Sequence, residues 1–150
     1  MISVRDRSSL AGEFYTVAEL YRRGYNALVT FGKAKQIDII VKEGNNSLSV
    51  EVKARMKGGQ FLCQCPKTDD TQKVWCFVDL YKKDSEHPDF YILNDQDLIE
   101  ICEKRQAFIK EQEKQRKKYH PFSHLDIKLD ELNKHKNNWD LIKEKLRGRS

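Results

Sequence analysis

The stretch QIDIIVKEGNNSLSVEVKAR, residues 36–55, constrains the fold of this chain most. Two runs of alternating apolar and polar residues flank Gly44-Asn45. Alternation of this kind marks half-buried strands, and glycine at the first turn position supplies the positive φ of a tight hairpin. The spacing predicts strands over 36–42 and 47–54. Centring the turn on Gly44-Asn45 pairs Ile37 with Val52, Ile39 with Val50 and Val41 with Leu48, so one face is wholly apolar. A longer even loop with the same centre gives the same register.

The other face is harder to explain. It sets Asp38 directly opposite Glu51, with Lys53 two residues further along the same side. Like charges opposed across a strand pair are destabilising. Lys53 offsets part of that repulsion. A divalent cation would offset more, because two carboxylates make a hard-oxygen site suited to Mg²⁺ or Mn²⁺. The plainer alternative is a solvated, charged outer face. Ile40 shares that face and speaks for partial cover.

Upstream, residues 8–23 read as a helix, with Ser8 or Ser9 as its cap and Gly24 as its stop. At about 100° per residue, Leu10, Phe14, Val17, Ala18, Leu20 and Tyr21 form an apolar stripe. Glu19 points away from it, as a surface glutamate should. Glu13 falls inside it. A glutamate on a core face needs a partner, since desolvation otherwise costs several kcal/mol. Arg22 and Arg55 are candidates, and so is a cation shared with Asp38 and Glu51.

The remaining elements are a strand at 26–31, a break at Gly58-Gly59 and a short strand within 60–65. Residues 67–73 have room for about two helical turns. A nearly all-apolar strand at 74–80 reads as central in its sheet. A strand at 89–93 follows. A long helix, capped by Asn94 or Asp95, runs to about Lys118. After a loop at 119–125, a terminal helix over 138–146 is anchored by Trp139 and Leu146. This order predicts a mixed α/β (α+β) fold around one sheet, as a single domain over 1–150 with a helical C-terminal extension over about 95–150.

The sequence carries 28 Lys and Arg against 23 Asp and Glu, a net charge of +5, which suits a polyanionic partner such as nucleic acid. No apolar run approaches the roughly 18 residues that span a bilayer, and MISVRDRSSL has no apolar signal core, so the expectation is a cytoplasmic protein with no membrane partner. In that compartment Cys63, Cys65, Cys76 and Cys102 are expected as reduced thiols. Cys63, Cys65, His120 and His124 offer a zinc set in principle, although neither the CxC nor the HxxxH spacing is a standard pairing. Two strand cysteines and two surface histidines are the preferred reading.

Glu13 in AGEFYTVAELYRRGY, Asp38 in QIDIIV, and Glu51 and Lys53 in LSVEVKAR together resemble the PD-(D/E)XK nuclease superfamily, the restriction-endonuclease-like fold. The spacing is most similar to archaeal Holliday-junction resolvases and small bacterial nuclease-like domains, and it covers roughly the first 55 residues. The resemblance implies an αβββαβ core with a central mixed sheet flanked by helices. It implies Mg²⁺- or Mn²⁺-dependent hydrolysis of phosphodiester bonds, with DNA as partner, and it admits a homodimer. By position, Asp38, Glu51 and the Val52 carbonyl would hold the metal. Lys53 would orient or deprotonate the attacking water, and Glu13 would act through a water or a second cation. Lys33, Lys35, Arg55 and Lys57 flank these residues as candidate phosphate contacts. Two features depart from the pattern. Ile37 stands where the motif's name has proline, and the helix expected after the ExK strand is hardly visible in 55–73. The rival expectation is a nuclease-like fold without catalysis, in which the acids and Lys53 form a structural cluster of a binding module.

Overall fold

A serine outside the expected helix starts the first element. The Ser3 hydroxyl accepts from the backbone N–H of Asp6 at 3.1 Å, so α1 runs Val4–Arg22 rather than from residue 8. Ser8 is already inside it, donating back to the Val4 and Arg5 carbonyls. The computed structural model describes residues 1–30, 38–82, 86–116 and 124–148. Its other elements are β1 (Asn26–Val29), β2 (Ile39–Glu43), β3 (Asn46–Arg55), β4 (Phe61–Cys63), β5 (Lys73–Asp79), β6 (Asp89–Leu93), α2 (Asp95–Arg116), β7 (Leu125–Ile127), α3 (Leu129–Leu132), a 3-10 turn (Asn133–His135) and α4 (Asp140–Arg147).

Five strands form a mixed sheet in the order β1-β2-β3-β5-β6, with β3 and β5 parallel and the other neighbours antiparallel. The hairpin register is the expected one: Ile39 faces Val50 and Val41 faces Leu48. Gly44 takes φ +57 at the turn. The Ile37–Val52 pair lies outside the described residues. β5 is paired on both sides, which explains its apolar run.

A parallel β3–β5 pair requires a crossover. The resemblance implies a helix there. Residues 56–72 instead hold β4 and turns, and β4 pairs with β7, a strand not expected from the sequence, which begins where the expected loop over 119–125 ends. The two short strands cover one face of the main sheet with α2, around Phe61, Trp75, Phe77, Leu98 and Ile127. The opposite face packs against α1 and α4 through Leu20, Val52, Cys76, Trp139 and Leu146.

α1 is rotated from its expected orientation. Ser8, Gly12, Glu13, Thr16, Glu19 and Leu20 are buried, whereas Phe14, Tyr15 and Tyr21 are exposed. The reason is close approach. A Cβ at Gly12 would lie 2.5 Å from Ala54 Cβ and 3.3 Å from Val52 Cγ1. The helix thus rests on β3 through its small residues, and the aromatic side chains have no room underneath. Glu19, expected at the surface, is buried instead, and Arg22, Arg23 and His87 surround its carboxylate at 3.0, 3.4 and 3.2 Å. The hydrogen bond from Arg22 holds its carboxyl below the usual range.

Gly12→Ala tests this contact. In an ordinary helix interior the change stabilises by roughly 1 kcal/mol. Here overpacking against β3 costs about 1–3 kcal/mol, so the net sign reverses. A lower urea midpoint at unchanged slope is the expected result.

The cysteines correct a second expectation. Cys65 and Cys102 form a disulfide across 37 residues, joining the segment after β4 to α2, while Cys63 and Cys76 are free and buried. Closing a loop of that length in the unfolded chain stabilises the fold by about 2–4 kcal/mol. Reduction, or Cys102→Ser, is therefore expected to lower the thermal midpoint by roughly 5–15 °C.

Candidate active site

The hairpin ladder is described as far as Ile39–Val50, and Asp38 stands at its end. Its carbonyl accepts from the Thr30 backbone N–H at 3.0 Å, which ties it to the end of β1. Its Oδ2 accepts from the Val52 backbone N–H at 2.8 Å. A side-chain carboxylate takes the donor that a continuing ladder would give to a main-chain carbonyl. Asp38 is thereby fixed against the backbone between Glu51 and Lys53.

Glu51 and Lys53 alternate with Val52 and Ala54 along β3. Val52 and Ala54 turn to α1, so the two charged side chains turn to the opposite face. Their side chains are 24% and 32% exposed, with Lys53 Nζ 3.2 Å from Glu51 Oε1. A second ammonium stands on the other oxygen: Lys73 Nζ is 3.8 Å from Glu51 Oε2 and 3.4 Å from Asp95 Oδ1. Trp75 lies opposite Glu51 in the parallel register, and both ammoniums sit over its ring, Lys73 at 4.8 Å and Lys53 at 5.8 Å. The repulsion anticipated between Asp38 and Glu51 is thus offset by two lysines on Glu51 and by a main-chain donor on Asp38.

Glu13 stands in the helix layer, over the face of β3 opposite to the one that carries Glu51 and Lys53. It is 3% exposed and follows Gly12, whose contact with Val52 and Ala54 brings α1 down on the strand. Its two suggested arginine partners are engaged elsewhere. Arg22 binds Glu19. Arg55 forms a two-pronged bond to buried Asp79 at 2.9 and 3.0 Å and also donates to the Gly59 carbonyl. Arg55 therefore belongs to the framework, whereas Lys57 is exposed. Lys33 and Lys35 lie outside the described residues.

Lys73, Trp75 and Asp95 were not singled out as site residues from sequence. One signal was present: a tryptophan inside an apolar strand needs a partner for its indole N–H. That partner is Asp95, which also accepts from the Asp70 backbone N–H at 2.8 Å. Asn94, not Asp95, caps α2, accepting from Asp97 N–H at 2.8 Å.

Thiol chemistry is not favoured. Burial pushes the Cys63 thiol up to about 12, and Cys76 likewise, so neither forms a ready nucleophile. The zinc set does not assemble either: Cys65 is bonded to Cys102, Cys63 is buried, and His120 lies outside the described residues. Among the described residues no three His, Cys, Asp or Glu side chains group to hold a metal ion. Asp38, Glu51 and the Val52 main-chain oxygen would offer donors of a different kind, two carboxylates and a carbonyl near one end of the hairpin. Such a set fits Mg²⁺ or Mn²⁺, which prefer oxygen and keep several waters, better than a soft metal.

No protein-family profile and no curated protein matches the chain. Among solved structures it is similar to a bacterial homing endonuclease, with a TM-score of 0.60 and 12% identity, covering 98% of each chain. A Holliday junction resolvase from Archaeoglobus fulgidus aligns with a TM-score of 0.44 and 13% identity, over 79% of this chain and 88% of the resolvase. The mixed five-stranded sheet flanked by helices is a restriction-endonuclease-like nuclease fold.

Proposed function

We propose that this protein is a metal-dependent nuclease that hydrolyses phosphodiester bonds, with DNA as its substrate. The observation that carries the reading is the junction of β2 and β3, where Asp38 is fixed on Val52 and Glu51 carries Lys53. The fold and the net charge of +5 agree with it. DNA is preferred to RNA from the resemblance alone.

Asp38, Glu51 and the Val52 carbonyl would hold Mg²⁺ or Mn²⁺, and Glu13, on the other side of the strand, would act only through a water at the strand end. When bound, the ion would lower the pKa of a water and draw charge from the phosphoryl oxygens. Lys53 has the reach and the charge to orient the attacking water and to meet the negative charge that develops on the phosphate. β4 packs its Phe61 and Cys63 with Trp75, the ring under both lysines, so this face of the sheet is partly shielded from water. That cover raises the strength of each charge interaction. Lys57 is the exposed candidate for a phosphate contact, and Lys33 and Lys35 are proposed beside it.

The test is cleavage of supercoiled, linear and single-stranded DNA with Mg²⁺ or Mn²⁺ against EDTA, comparing wild type with Lys53→Ala. Metal-dependent cleavage reduced about 10²–10³-fold in the variant is expected. DNA binding that survives chelator, with no cleavage under any condition, would replace the enzyme by a binding module.

A further inference from the structure

A chain of alternating charges leads from the candidate site into the protein interior. Asp95, at the first turn of α2, is 1% exposed. It is fully engaged: the Trp75 indole donates to one oxygen and the Asp70 backbone N–H to the other. The helix N-terminus also favours its charge. A carboxylate held by neutral donors alone would still be a buried net charge, which is costly. Lys73 supplies the countercharge, 3.4 Å away, with its stem half-buried and its ammonium over the Trp75 ring. The same ammonium faces Glu51 Oε2 at 3.8 Å, while Lys53 holds Oε1.

The two lysines are therefore not equivalent. Lys73 is tethered to a buried anion and to an aromatic face, so its position is set by the fold. Lys53 stands at the more exposed side, and its ion pair is with Glu51 itself. A carboxylate that must bind a cation in one orientation benefits from one fixed partner and one that can be drawn away.

We infer that Lys73, anchored by Asp95, is a positioning residue that sets the orientation of the Glu51 carboxylate and leaves Lys53 free to turn to the phosphate. This rests on the nuclease reading above. Lys73 acts through Glu51 and is not expected to touch DNA. Removing it should slow the chemical step without weakening substrate binding. Loss of such outer contacts in metal sites typically costs 10–100-fold.

The experiment measures kcat and KM for DNA at saturating Mn²⁺ in wild type, Lys73→Met and Lys73→Arg, with thermal midpoints alongside. Methionine keeps the stem on Trp75 and removes the charge. The expected result is a kcat lower by about 10–100-fold in Lys73→Met, KM changed less than about twofold, and most of the loss restored in Lys73→Arg. A raised KM with intact kcat would make Lys73 a phosphate contact and overturn the inference. So would an unchanged kcat, or a kcat loss that arginine fails to rescue while the fold is kept. A wild-type protein without metal-dependent cleavage would instead sink the nuclease reading, and this inference with it.

Discussion

Asp38→Asn is expected to lower Mn²⁺-dependent cleavage by about 10²–10³-fold while leaving the fold intact. The two effects separate because Asp38 has two roles. As an acceptor, it takes the Val52 backbone N–H at 2.8 Å, and an asparagine carbonyl oxygen can do the same. As an anion, it shares the strand end with Glu51, and asparagine cannot replace that charge. A cation there would keep one carboxylate instead of two. The loss should appear in kcat and in the metal concentration needed for half-maximal rate. The urea midpoint should move little. Asp38→Ala makes the contrast: it also abandons the Val52 donor, at a cost of about 1–3 kcal/mol if that N–H stays buried. Equal activity in wild type and Asp38→Asn would remove Asp38 from the site.

Asp79→Ala should produce the largest stability loss of any single change considered, about 3–5 kcal/mol. Asp79 closes β5 and faces Arg55 in the parallel register of β3. Their side chains are 2% and 12% exposed, and the bond between them is two-pronged. Removing the acid strands a guanidinium beside the Phe61 ring, with the Gly59 carbonyl as its remaining described acceptor. Replacing both partners, Arg55→Met with Asp79→Leu, should cost much less, because no charge is left buried. Urea denaturation with a double-mutant cycle gives the comparison directly. One residue separates Arg55 from Lys53, so the pair also pins the strand that carries the candidate site. A loss below about 1 kcal/mol for Asp79→Ala would mean the pair is far more solvated than its burial indicates.

The hairpin was legible in the sequence because two constraints coincide there. A glycine turn sets the centre and a period of two sets the faces, so the register of Ile39 with Val50 follows. The orientation of α1 was not legible. Its aromatic residues mimic a core stripe, but the close approach of Gly12 to Ala54 decides which face goes down. That approach depends on a strand forty residues away. For the same reason Glu19 was placed on the surface and is buried. Asp38, Glu51 and Lys53 could be nominated from one local segment. Lys73 and Asp95 could not, since the parallel crossover and the start of α2 bring them together. The Cys65–Cys102 bond and the β4–β7 pair are hidden likewise, each joining distant segments too short or too sparse to carry a periodic signal. Arg55 looked like a phosphate contact because sequence shows charge but not the buried acid that uses it.

The most direct measurement is calorimetric titration of Mn²⁺ into wild type, Asp38→Asn and Glu51→Gln without DNA. Binding is expected in the wild type, weakened by at least about tenfold in both variants, with circular dichroism unchanged. Absence of binding in the wild type, or binding that neither variant alters, would contradict a divalent-cation site at the end of the hairpin.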